Sequence, residues 1–434
     1  MTHPVTPQHS LQPIAIIGVL FFMFGFITWL NGALIPFLQL VCQLGEFEAL
    51  LIAFSFYIAY VVMALPMAKV LAWSGYKNAM SIGLGLIALG CALFIPAALS
   101  QQFAVFLLAQ FVVGSGLTLL QTASNPYLVR VGPEHSAAAR ISLMGILNKS
   151  AGVLAPIVFT WLVLADLGHL NADSLAAMAP SEQQQALQQL AHQLMLPYAG
   201  IALAMLLLAV ALRFSALPDL PEEPSASADG ETLSVWHYPH LLLGVLTLFC
   251  YVGVEVIAGD TIGMLGAALQ LPNVTTLTSY TLAFMVLGYS LGLLLVPRWL
   301  SQRQALAASA LLGLVCTCGI LASNPQSYGL SELLWGWTGI GTLPNPVAWV
   351  ALLGLANALV WPAVWPLALS GLAALTPKAS ALLITGIAGG ALLPLGYGAL
   401  SEQFGAIAGY AVMLPCYAMI LYYAVHGCSL GRRS

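Results

Sequence analysis

The sequence predicts an all-α polytopic membrane protein with twelve transmembrane helices, arranged as two six-helix halves with both termini in the cytoplasm. Three observations carry this prediction. The 434-residue chain is 60% apolar and only 6% charged, against about 25% charged for a soluble domain, and so few charges could not cover a soluble surface. Apolar stretches of about 20 residues, the length needed to cross the hydrocarbon core, recur twelve times. Ten of the eleven Lys and Arg residues fall at alternate junctions between those stretches.

The spans begin near Ile14, Phe47, Lys77, Phe103, Arg140, Leu196, Pro239, Leu277, Gln304, Val347, Ala379 and Ile407. Lys69 and Lys77, Arg130 and Arg140, Arg213, Arg298 and Arg303, Lys378 and the Arg432-Arg433 tail mark one set of junctions. The other set (45–48, 100–102, 166–193, 270–276, 323–346 and 401–405) holds neither Lys nor Arg. Basic loops stay in the cytoplasm, which fixes the orientation. Met1 to Gln12 has no Lys, Arg or small-residue cleavage site, so no signal peptide is expected. The external loop Asp166 to Gln193 contains SEQQQALQQLAHQ, which suits a short surface helix. Ser215 to Glu231 is rich in Pro, Ser and acids and reads as a flexible linker. The expected organisation is a first half over 1–214, a cytoplasmic linker over 215–235 and a second half over 236–434.

The halves are weakly self-similar. Gln121-x3-Asn125-Pro126 in span four corresponds to Asn357-x3-Trp361-Pro362 in span ten, and Gly152-x3-Pro156 in span five to Gly390-x3-Pro394 in span eleven. Repeated halves around a central linker suggest a major facilitator fold, with its substrate site at the midplane between the halves.

Lys149 is the one cation inside a span, and a charge at bilayer depth is costly and by default functional. It lies nine residues beyond Arg140, about 14 Å from the cytoplasmic end. Gln121 lies at a similar depth, with Asn125 one turn away on the same face and Asn148 beside Lys149. Amides both donate and accept, which suits a polyhydroxylated ligand, although they also serve as interhelical glue. Lys149 is expected to sit in a polar pocket, with amides of spans one and four or with an acid from the second half. Glu255 is placed about 25 Å from the cytoplasmic end, and Asp260 higher, where it can meet external water as a solvated end residue. Asn357 and Trp361 share a helix face that Trp365 continues. Trp361 faces either the cavity or lipid. Asn31-Gly32 and Pro36 interrupt span one, as in discontinuous transporter helices.

Other chemistries find little support. The seven Cys lie mostly in apolar segments, and Cys316 and Cys318 have no nearby His or second pair, so they read as small hydrophobes. His237, His240 and His426 lie near span ends, leaving no nucleophile–base pair or metal set at midplane, so the chain is not expected to be an enzyme. There is no basic patch for nucleic acid.

LLQTASNPYL, a following GP and ARISLMGILNKSAGVLAPI resemble the fucose permease family of sugar transporters, most closely its bacterial N-acetylglucosamine permeases and next its hexose carriers. FGFITWLNGALIPFL, YVGVEVIAGDTIG, LANALVWPAVWPLAL and ITGIAGGALLP extend the resemblance over nearly the whole chain. It implies alternating access and cation-coupled sugar uptake. Fucose permeases carry acids at the positions matching Gly32 and Gln121, and both are absent here. The Asn of span five is kept as Asn148, while Lys149 departs from the fucose pattern and fits the N-acetylglucosamine branch.

The expectation is therefore a monomeric sugar importer of the bacterial inner membrane, for N-acetylglucosamine or a related hexose. Asn31, Gln121, Asn125, Asn148 and Asn357 would bind the sugar and Trp361 would stack on it. Lys149, Glu255 and Asp260 would couple transport to a proton or sodium ion, with no other cofactor. A uniporter, in which Lys149 stands in for the ion, and a proton-driven exporter are the alternatives. A non-transporting sensor is disfavoured by the short tail and linker.

Overall fold

The computed structural model describes residues 11–130, 137–163, 174–175, 177–215, 217–218, 237–296, 298–372 and 376–431. Most of the linker, the Arg432-Arg433 tail and residues 166–173 of the external loop lie outside the described residues, as do the side chains of Pro126, Arg130 and Lys378. The described chain is helical and has no strand.

Eleven helical stretches among the described residues are long and apolar enough to cross a membrane. The twelfth crossing is partly concealed. Glu46–Val62 has 17 residues and bends at Met63 into the helix that begins at Ala64. That helix nominally runs to Ser100, but Gly75 breaks it with φ 74° and ψ 169°. A positive φ with extended ψ is glycine territory, and here it lets the chain reverse. Lys77 Nζ then donates to Ser215 O at 2.6 Å, and Ser81 to Ala209 O at 2.8 Å. The third span thus rises from the level where the sixth ends, as the position of Lys77 predicts.

Five spans are interrupted, the twelfth near its outer end, where a 3-10 turn at Tyr410–Val412 separates Ala406–Gly409 from Met413–Val425. The first is Leu11–Trp29 followed by Asn31–Val41, as the Asn31-Gly32 sequence suggested. The seventh, Pro239–Asp260, breaks at Thr261 before Ile262–Ala268. The tenth is Asn345–Asn357 and Val360–Leu369; the eleventh is Thr376–Ile384, a 3-10 turn and Gly389–Phe404. The surface helix of the external loop forms over Pro180–Gln193.

Strongly exposed Trp73 and Trp299 lie on the basic side, and exposed Trp161 and Trp337 on the other. They are the interfacial indoles of a transmembrane bundle. Arg303 Nε donates to Ala424 O at 2.7 Å and its Nη2 to Val425 O, satisfying the last carbonyls of Met413–Val425 with a cation suited to a helix C-terminus.

The polar bonds joining the helices before residue 215 to those after 237 run from midplane outward. Lys149 meets Glu255 at 2.8 Å, Ser279 Oγ donates to Val153 O at 2.7 Å, and the Thr160 and Thr275 hydroxyls lie 2.6 Å apart. At the outer rim Phe47 N donates to Glu402 Oε1 at 2.9 Å and Ser401 Oγ to Glu46. Backbone approach is close there, and a Cβ at Gly398 would lie 3.1 Å from Phe47 Cα. The external side is closed.

Candidate functional site

The site is centred on Lys149, which the helix Ala137–Val163 carries into the interface between the two sets of helices. Its Nζ lies 2.8 Å from Glu255 Oε1, with side-chain exposures of 10% and 12%. The same ammonium sits 4.3 Å from the centroid of the Trp29 ring. Tyr251, one turn before Glu255, donates its hydroxyl to the same Oε1 at 2.9 Å. The cation is thus held between a carboxylate and an indole face, the latter worth about 2 kcal/mol when desolvated.

Of the two settings expected for Lys149, the structure shows the acid from the second set of helices. Glu255 was placed farther out than Lys149, yet the two side chains meet. The helix carrying Lys149 begins at Ala137 rather than Arg140, and the long lysine side chain spans the remaining gap.

Trp29 ends the first segment of span one. A Cβ at Gly152 would lie 2.6 Å from the indole, and one at Gly259 would collide with it. The Gly152 of the repeated GxxxP motif therefore makes room for the ring that covers Lys149.

The amides divide. Gln121 is half-buried, and its Nε2 donates to Tyr60 at 2.6 Å. Asn148 is buried beside Lys149, and its Nδ2 donates to Phe21 O at 3.4 Å. Asn125 is exposed. Asn31 is buried against Gln110, whose Nε2 donates to its Oδ1 at 2.7 Å, in a small cavity shared with Cys91, Phe94 and Tyr198. Asn357 is fully buried and accepts from Tyr417 at 2.8 Å, leaving Nδ2 unpartnered. The break at 358–359 separates Asn357 from Trp361, so the shared face read from the i, i+4 spacing is not continuous. Trp361 faces an aromatic wall, its ring 6.2 Å from Tyr251 and 5.5 Å from Trp365.

Asp260 also departs from expectation. It does not meet external water but is fully buried, with no partner on either carboxylate oxygen. The chain does not end its span there but continues beyond it into Ile262–Ala268.

Trp29, Tyr60, Gln110 and Tyr251 were not singled out by sequence reasoning. Tyr251 was within reach of it, lying one turn from an intramembrane acid, and Trp29 stands at a depth where this interfacial residue is uncommon. Among the described residues no cluster of three His, Cys, Asp or Glu could hold a metal ion. The assembled chemistry is amides, phenols and flat rings around one compensated charge pair.

The profile of the Major Facilitator Superfamily matches residues 17–394. The chain belongs to this superfamily. It is 34% identical over 412 residues to a glucose/galactose transporter of Brucella abortus, covering 94% of this chain and 92% of that protein. It is 28% identical over 425 residues to the L-fucose-proton symporter of Escherichia coli K12, covering 95% and 92%. The crystal structure of a Major Facilitator Superfamily transporter, FucP, in the outward conformation has the same fold, with a TM-score of 0.70 at 23% identity, covering 98% of this chain and 100% of that one. These relatives are superfamily transporters rather than enzymes, and the chain is a multi-pass membrane transporter of the bacterial inner-membrane type.

Proposed function

We propose that the protein is a secondary active sugar importer, taking up N-acetylglucosamine or a related hexose together with a cation. Two six-helix halves, 1–214 and 236–434, joined by the linker 215–235, would alternate access to a midplane site. The observation that carries this reading is the Lys149–Glu255 pair, which bridges the two sets of helices while the external side is closed. A charge pair between moving bodies must be broken and remade in each cycle, so ligands that compensate it control the cycle. Asn148 is adjacent to Lys149 in sequence and Gln121 offers a half-buried amide, and the Tyr251–Trp361–Trp365 wall supplies flat surfaces for the CH face of a sugar ring. The Brucella relative is named for glucose and galactose, which supports a hexose; the resemblance of the LQTASNPY and NKSAG blocks supports the acetamido sugar.

Uptake into proteoliposomes tests the reading, with labelled N-acetylglucosamine, glucose, galactose and fucose under imposed proton or sodium gradients. N-acetylglucosamine or glucose should be taken up ahead of fucose and should accumulate only with a cation gradient. Uptake that equilibrates without accumulation under every gradient would make the protein a uniporter. No movement of any sugar would overturn the proposal.

A further inference from the structure

Asp260 is buried at the break of the seventh span with both carboxylate oxygens unpartnered. Among the described residues, the titratable groups that act on it are Glu255 on its own helix and Tyr57 from the second span, while Tyr410 meets the adjacent Thr261 hydroxyl at 2.9 Å. None is a cation, and the Lys149 ammonium is already engaged by Glu255. An ionised carboxylate buried without a partner is prohibitively costly, so Asp260 needs a neutralising ligand in this state. A metal cation would need several further oxygens. The neighbouring hydroxyls form no oxygen cage with the carboxylate: Thr261 donates to Ile257 O at 2.6 Å, Thr281 to Ala258 O at 3.3 Å and Thr278 to Gly259 O at 2.7 Å, and none meets Asp260. The ligand that fits is a proton.

Asp260 also lies where the external closure forms. The preceding Gly259 abuts Trp29 of the first span, and a Cβ at Gly263 would lie 3.1 Å from Pro36 and 3.3 Å from Gly32 O. Parting these contacts opens the carboxyl to external water.

We propose that Asp260 carries the coupling proton, and that its protonation permits the external side to close. This rests on the sugar-importer reading and assigns its coupling ion. With the external side open, the carboxylate takes one proton from external water. Closure then buries a neutral acid. The proton leaves toward the cytoplasm past Glu255, five residues or about 7.5 Å nearer that side. The bare carboxylate left behind disfavours the closed state, and the carrier reopens outward. One proton is bound and released per cycle, with no redox change.

The test compares wild type, Asp260→Asn and Asp260→Glu in proteoliposomes, with glucose and N-acetylglucosamine as probes. Wild type should accumulate sugar under an inward proton gradient without sodium. The Asn variant, a permanent mimic of the protonated acid, should retain sugar exchange but lose gradient-driven accumulation, and the Glu variant should recover accumulation in part. Accumulation by the Asn variant at the wild-type level, a wild type driven by sodium alone, or a folded Asn variant without exchange would overturn the proposal. A second measurement leaves the sugar out. In a Phe47→Cys/Gly398→Cys pair, disulfide formation across the external contact should rise on acidification relative to the same pair carrying Asp260→Asn. Equal pH profiles would overturn the proton site even if no sugar moves, an outcome that by itself counts only against the sugar reading.

Discussion

Lys149→Met would strand Glu255 in the membrane, with Tyr251 its remaining hydrogen-bond donor. Removing one member of a buried pair costs about 3–5 kcal/mol, whereas replacing both with neutral groups of similar volume is often tolerated. Lys149→Met should therefore lower the melting temperature in detergent, and Lys149→Met/Glu255→Gln should recover most of the loss. Neither variant should accumulate sugar under a gradient, although exchange can survive because it needs no return of the empty carrier. Normal accumulation by the double variant would remove the pair from the mechanism. The amides should separate in the same assays. Gln121→Ala should weaken sugar binding by about 1–3 kcal/mol if its half-buried amide meets the ligand, with little change in melting temperature. Asn357→Ala should do the reverse, because the side chain serves Tyr417 inside the helix packing. Calorimetry and thermal unfolding on the same preparations decide both. The sequence marked these polar positions because hydropathy makes them anomalous. It could not say which way each points, since one helical turn carries both a cavity face and a packing face, and Asn31 beside Gln110 shows how easily an amide finds a partner within its own bundle.

At the scale of helices, apolar stretches indicated twelve crossings and charge spacing their orientation, and eleven helical stretches among the described residues are long and apolar enough to cross. What the charges could not locate was depth. Residue counting assumes unbroken helices of known origin, and here the first, seventh, tenth, eleventh and twelfth spans are interrupted. The seventh span runs on past Asp260, which is why Asp260 was placed in external water, and the helix carrying Lys149 begins before Arg140, which is why Glu255 was placed too far from Lys149. The interruptions depend on close helix contacts, which leave only a glycine in the sequence. Gly259 is the clearest case, since any side chain there must displace the Trp29 ring that covers Lys149. Gly259→Ala should cost about 1–3 kcal/mol through overpacking and should impair transport more than its size suggests. Adding Trp29→Leu should restore part of the thermal stability without restoring transport. If Gly259→Ala alone transports normally, the indole is not held in place by this contact.

For the whole molecule, the external rim is the surface on which transport turns. Closure there uses backbone proximity and carboxylates, with Glu402 accepting from Phe47 N and Glu46 from Ser401, while the charge pair closes the interface at midplane. The two rim contacts join residues 355 apart in sequence. No local pattern encodes such a pairing, which explains why composition indicated the fold but not the conformational state. The rim also gives the most direct test of the cycle. A Cβ at Gly398 would lie 3.1 Å from Phe47 Cα, close enough for Cys side chains at 398 and 47 to approach the about 3.5–4.5 Å Cβ separation of a disulfide. Oxidation of the Phe47→Cys/Gly398→Cys pair should arrest uptake and exchange together, since both need the external side to open, and reduction should restore them. Sugar applied from outside should speed the cross-link if binding favours closure. A fully cross-linked protein that still exchanges sugar would mean that the external rim does not part during transport, and alternating access across this interface would have to be abandoned.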